Sequence, residues 1–140
     1  MSAGRICTRV IHTADGDETV RAAAARMDRE GVGTLVVVDD ALRPIGIVTD
    51  RDVVVRCVSP GLDPDRASVS EIMSVPVSSV FEDTPIESAL RMMAGSRARR
   101  SVVVNRAGAL VGVLALDDVL ELLAEEVEAI GELVRVQAVE

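Results

Sequence analysis

Apolar positions in the first third of the chain change period twice, and each change marks an element. Val20, Ala23, Ala24 and Met27 recur at three-to-four spacing, the stripe of an amphipathic helix. Asp17-Glu18-Thr19 opens this helix, and Gly31 closes it as a left-handed C′ residue. Leu35 to Val38 is then an unbroken run of mostly β-branched residues, which predicts a strand covered on both faces. Asp39 to Pro44 is turn material, and Ile45 to Val48 predicts a second strand, hairpin-paired with the first. The run stops at Thr49-Asp50-Arg51-Asp52. Beyond it, Val53, Val54, Cys57 and Val58 fit one face of a helix spanning Asp50 to Val58. Val10, Ile11 and Thr13 form an extended lead-in ahead of the first helix.

Two prolines and a glycine in Ser59 to Asp65 break the pattern and predict a linker over 59–67. Ser68 and Glu71 have the spacing of a capping box for a short turn ending near Met73. The order then repeats. Val77 and Val80 lead in, Thr84-Pro85-Ile86-Glu87 starts a helix, and Ile86, Ala89, Leu90 and Met93 form its stripe, which Gly95 ends. Val102 to Val104 and Val111 to Leu114 predict a second strand pair, after which Asp117 opens the last helix. A shift of 66 residues aligns the halves without a gap from Asp17 to Val54. Asp17/Asp83, Met27/Met93, Gly46/Gly112 and Asp52/Asp118 are among the identities. The chain is an internal duplication.

The predicted fold class is therefore α/β: two β-α-β-β-α repeats, packed sheet to sheet with pseudo-two-fold symmetry. The expected divisions are 6–58 for the first repeat, 59–67 for the linker, 68–123 for the second repeat and 124–140 for a C-terminal helical extension. Neither half alone can bury both faces of its sheet. In the last segment Val119, Leu120, Leu123, Val127, Ile130 and Val134 keep an apolar stripe with acidic residues between them. That predicts an interface helix supporting a homodimer.

Composition narrows the partners. The 140 residues carry a net charge of −8, which argues against nucleic acid or an anionic membrane as the main partner. All 15 basic residues are arginine, so lysine Schiff-base chemistry is excluded. No transmembrane run and no signal peptide is evident, and the expected location is the cytoplasm. Cys7, Cys57 and the one histidine, His12, lack metal-ligand or catalytic spacing. The two cysteines are buried thiols or, alternatively, a Cys7–Cys57 bridge. No enzyme activity, metal or required cofactor is expected.

Thr49 and Asp52 stand one helical turn apart at a strand-to-helix corner. They form either a capping box or a clamp whose hydroxyl and carboxylate hold the vicinal hydroxyls of a ribose. Gly46 marks a place where backbone or ligand comes close. From Ser88 to Asn105 there is no acidic residue, while Arg91, Arg97, Arg99 and Arg100 are present. These arginines pair with acidic helices or form a phosphate clamp, for which Arg99 and Arg100 are best placed.

Gly46 to Asp52 with its echo Gly112 to Asp118, the helix starts at Asp17 and Asp83, and Ile72-Met73 together resemble a cystathionine-β-synthase (CBS) domain pair. The resemblance extends over roughly residues 6–123 and is nearest to small stand-alone bacterial pairs of the actinobacterial hypoxia and stress type. It implies a regulatory module that binds an adenosine nucleotide, AMP, ADP or ATP, in a cleft between the repeats. Thr49 and Asp52 would then hold the ribose, while Val10, Ile11, Val32 and Thr34 would line the adenine pocket. In the second repeat Asp118 remains but Ala115 replaces the threonine, which implies a weaker site there. The alternative is a structural or interaction protein with degenerate, ligand-free clefts.

Overall fold

The computed structural model of the chain describes residues 1–139; Glu140, the end of the expected extension, lies outside them. Its elements are α1 (Ala3–Ile6), β1 (Thr13–Asp15), α2 (Val20–Glu30), β2 (Thr34–Val38), β3 (Pro44–Thr49) and α3 (Asp50–Asp52), which continues as a π-helical segment, Val53–Val58. Then follow α4 (Val69–Ile72), β4 (Ser79–Phe81), α5 (Ile86–Ser96), β5 (Arg100–Val104), β6 (Leu110–Ala115) and α6 (Leu116–Val139).

Two three-stranded sheets form, β1-β2-β3 and β4-β5-β6. In each, the outer first strand runs parallel to the middle one and the hairpin partner antiparallel. Thr34 pairs with Thr49 and Arg100 with Ala115, and the two bulges fall at Val37/Val38 and Val103/Val104. Each second-sheet position is the first-sheet position plus 66, so the duplication read in the sequence holds in the backbone. Val36 and Val38 stack against Val102 and Val104 to join the sheets. Alternate residues turn the other way, under the helices, as strands covered on both faces require.

The repeats exchange the segments just ahead of β1 and β4, α1 to Thr8 and α4 to Ser74, while β1 and β4 stay in their own sheets; the periodicity did not reveal this. The short helix α1 packs in the second repeat's core, where Ala3 and Cys7 join Val80, Ala89, Val103 and Leu114. Its backbone is anchored there by Ala3 N–H to Thr84 O at 2.8 Å and Gly4 N–H to Glu82 O at 2.9 Å. Reciprocally, Val69 and Ile72 of α4 are fully buried in the first repeat's core beside Leu35, Val37 and Val48. Thr8 bridges to Val113 and Ser74 to Ile47, so each lead-in runs along the last strand of the other sheet. Gly46 and Gly112 sit at these crossings. A β-carbon at Gly112 would lie 2.6 Å from Cys7 Sγ, and one at Gly46 would overlap Met73 Sδ. The close approach at Gly46 is thus to protein. Cys7 and Cys57 are free thiols in different cores, and burial pushes the Cys7 thiol up from its ordinary pKa.

Helix ends follow local chemistry with a few shifts. Thr19 caps α2 by accepting from Ala22 N–H at 3.1 Å, and Gly31 closes it at φ 66°. Pro85 takes the capping position of α5, one residue after the expected Thr84. Gly95 lies inside α5, which ends instead at Arg97 with φ 55°, the position equivalent to Gly31. An arginine in the left-handed region is strained, because its Cβ crowds the following carbonyl. Arg97→Gly is therefore expected to stabilise the fold by about 1 kcal/mol and raise the melting point by about 2–4 °C, read by calorimetry. The expected face Val53, Val54, Cys57, Val58 is also split. The wider π turn buries Cys57 and part of Val53 but leaves Val54 and Val58 exposed.

One ion pair ties α2 to the lead-in. Arg26 donates to Glu18 and, at 2.7 Å, to the Thr13 carbonyl, while Glu18 Oε2 accepts from Asp15 N–H at 3.1 Å. The Arg26 hydrogen bond holds the Glu18 carboxyl below its ordinary value of 4.5. A depressed folded pKa adds stability above the unfolded value, and that stability disappears as pH falls through the folded one. The gap in urea midpoint between wild type and Glu18→Gln should therefore be full at neutral pH and close below pH 4.5.

Candidate functional site

The lead-in exchange builds a cavity of about 400 Å³ between the repeats. One wall is the first lead-in, with Thr8, Val10, Ile11 and His12. Val32, Gly33 and Thr34 add the entrance to β2, and Arg100 adds the start of β5. The opposite wall is the second corner, with Ala115, Asp117 and Asp118. Val10 is 79% exposed, an aliphatic side chain held at the mouth of the cleft with little to cover it.

These contacts divide the residues that the sequence grouped together. Val10, Ile11, Val32, Thr34, Arg100 and Asp118 meet in this cavity, whereas Thr49, Asp52 and Arg99 are not among its lining residues. The physical cause is the crossing at Thr8 and Val113. It carries the first lead-in away from its own corner and sets it against that of the second repeat. Arg100 Nη1 lies 3.5 Å from Thr34 Oγ1. These two positions are equivalent under the 66-residue shift, so the pseudo-two-fold axis passes between them and separates the two corners.

The corners differ chemically. At the first, the capping box is closed: Thr49 Oγ1 accepts from Asp52 N–H at 3.1 Å, and Asp52 Oδ2 accepts from Thr49 N–H at 2.9 Å. Arg56 Nε stands 3.7 Å from the other Asp52 oxygen. Both carboxylate oxygens are thus engaged. At the second corner Ala115 has no hydroxyl to close such a box. Asp118 Oδ2 instead meets the hydroxyl of Thr8 at 3.4 Å, its one hydrogen bond among the described residues. Thr8 thereby brings a hydroxyl from the other repeat to the corner that lacks one.

Sequence reasoning missed Thr8. A signal existed, since the 66-residue shift places Ser74 opposite it, but Thr8 lies ahead of the stretch over which the two halves align, Asp17 to Val54. The basic stretch does not act as one unit. Arg100 reaches the cavity, Arg99 Nη2 pairs with Asp117 Oδ1 at 3.3 Å on the surface, and Arg106 pairs with Asp83 and covers Phe81. No cluster of metal-ligating side chains occurs among the described residues.

Comparison with known proteins agrees with this architecture. The model of the CBS domain matches residues 3–59 and again 69–125. An uncharacterised protein of Methanopyrus kandleri is 36% identical over 86% of this chain; the match spans 62% of that protein, just under two thirds. Hypoxic response protein 1 of Mycobacterium tuberculosis is 32% identical over 77% of this chain and 75% of its own. Among solved structures, the CBS domain protein PAE2072 of Pyrobaculum aerophilum, complexed with AMP, superposes with a TM-score of 0.72 at 30% identity, over 84% of this chain and 89% of that one.

Proposed function

The chain belongs to the CBS-domain family, and from that premise we propose that it is a cytoplasmic regulatory module binding an adenosine nucleotide, of the AMP, ADP or ATP class, in the Asp118 cavity. Occupancy would report energy or stress state to a regulated partner protein, and the module would work as a homodimer. The observation that carries this reading is a carboxylate at the wall of an aliphatic cleft that no capping box closes: Asp118 meets only the Thr8 hydroxyl, at 3.4 Å through Oδ2, and Oδ1 faces no donor among the described residues. Ionised, Asp118 is acceptor-only, and it suits a diol that donates two hydrogen bonds. Val10, Ile11 and Val32 offer dispersion to a base, and Arg100 offers a guanidinium to a phosphate. The threonine-to-alanine change at the second corner supports this reading, because the missing box leaves the carboxylate open. The PAE2072 complex shows that a relative of similar fold takes AMP.

A specific observation favours the alternative, a ligand-free interaction module: the first corner is closed on itself as a cap. Isothermal titration of the full chain with AMP, ADP, ATP and S-adenosylmethionine decides between them. Saturable binding of a nucleotide is the expected result. Absence of heat from all four at millimolar concentration would leave the interaction module.

A further inference from the structure

The C-terminal helix α6 is 24 residues long, about 36 Å at 1.5 Å per residue. Only its start packs on the body, where Val119 is buried. From Leu123 to Ala138 every residue except Gly131 is exposed. Most of the large aliphatics on this free stretch fall on one line, with Leu133 at its edge and Val136 off it. Leu120, Leu123, Val127, Ile130 and Val134 follow steps of three, four, three and four residues, and they are 49–67% exposed. That alternation is a heptad seam, the pattern that receives another helix, and it is narrower than the stripe of a helix lying on a sheet. A helix standing off the body with such a seam bare is marginal in water on its own.

Gly131 adds an independent observation. Glycine is among the worst residues for a helix interior, and a β-carbon there would meet nothing within 4 Å in this chain. The chain itself therefore supplies no steric reason for it. Ala124, Gly131 and Ala138 recur every seven residues along one edge of the seam, where small side chains let a second helix axis come close. Glu121, Glu125, Glu128 and Glu132 lie off the seam and Glu126 borders it on the edge opposite Ala124 and Gly131, so no seam position itself carries a charge.

We propose that this face of α6 docks the same helix of a second copy, antiparallel, with Gly131 present to permit close approach. In that register Leu123 of one copy lies opposite Val134 of the other, and Val127 opposite Ile130. Ala124 then falls beside Gly131, and the helix dipoles oppose. No acidic side chain falls on the seam itself, and Glu126 at its edge lies beside Leu133 of the other copy, which allows two chains of charge −8 to meet here. This deepens the homodimer reading by naming its surface.

Sedimentation of the full chain at tens of micromolar, in low salt and in roughly 1 M salt, tests it. A dimer that holds or tightens with salt is expected, and one that weakens would overturn the apolar seam in favour of a charged partner. Val127→Glu/Ile130→Glu should weaken dimerisation at least about 100-fold with the melting transition of the body retained. If that variant stays a wild-type dimer, this surface is wrong and the homodimer forms elsewhere; a monomeric wild type would overturn both. Gly131→Ala separates packing from propensity. Helix content should rise while dimer affinity falls about tenfold, and unchanged or tighter association would overturn the close approach. Gln137→Cys should give no disulfide-linked dimer under mild oxidation, because Gln137 faces Leu120 when the helices are antiparallel; efficient cross-linking would overturn the orientation.

Discussion

Gly112→Ala is expected to lower the melting temperature by about 6–12 °C, the equivalent of about 3 kcal/mol of overpacking. The added methyl would stand 2.7 Å from the Thr8 carbonyl oxygen and 2.6 Å from Cys7 Sγ. Thr8 is held there by backbone hydrogen bonds with Val113, at 2.9 and 3.0 Å in the two directions. Backbone cannot swing aside as a side chain can, so either the lead-in detaches or the sheet deforms. Gly46→Ala is the matched control. The atoms it meets belong to the flexible Met73 side chain, with Sδ nearest, and about 1 kcal/mol is expected there. Thermal melts of the two variants should therefore differ severalfold in their shift. Equal, small losses would mean that the lead-in exchange does not hold the fold together.

Asp118→Ala is expected to weaken nucleotide binding about 10- to 100-fold, because bonds to a charged acceptor are worth about 1.5–3 kcal/mol. Thr8→Val should weaken it only severalfold, since a neutral hydrogen bond is worth about 1 kcal/mol. Asp52→Ala and Thr49→Ala should leave the affinity for this cavity nearly unchanged and lower stability by about 1 kcal/mol through the lost cap. Titration and melting of the same four variants read both quantities. The order inferred from sequence alone was the reverse, with Asp52 dominant. A large affinity loss in Asp52→Ala alone would restore that order and move the ligand to the other corner.

The elements were legible because each is a local consequence of its residues. The helix over Val20–Glu30 follows from three-to-four spacing between a threonine cap and a left-handed glycine. The strand over Thr34–Val38 follows from an apolar β-branched run, and Ser68 and Glu71 declared their box by spacing. Misses occurred where a local rule met a competing one. Gly95 was expected to end α5, but the helix ran on to Ser96 and left Arg97 strained. The four residues Ala3–Ile6 carry too little periodicity to announce a helix, and they become one by docking on Glu82 and Thr84.

The sequence by itself determined the duplication, the strands and helices within each half, the apolar faces that would seek cover, and the residues able to meet a nucleotide. All of these are carried by spacing along one segment, or by likeness between two segments. The tertiary structure alone decided which half supplies each wall of the cleft. Both lead-ins have the same local pattern whichever sheet they run along, and the choice depends on the path of the chain from Val58 to Val69, on the space left by Gly46 and Gly112, and on burying α1 and α4 in opposite cores. These contacts join residues about a hundred positions apart, such as Thr8 and Asp118. Their balance is set by packing the whole chain, which leaves no periodic trace in either segment.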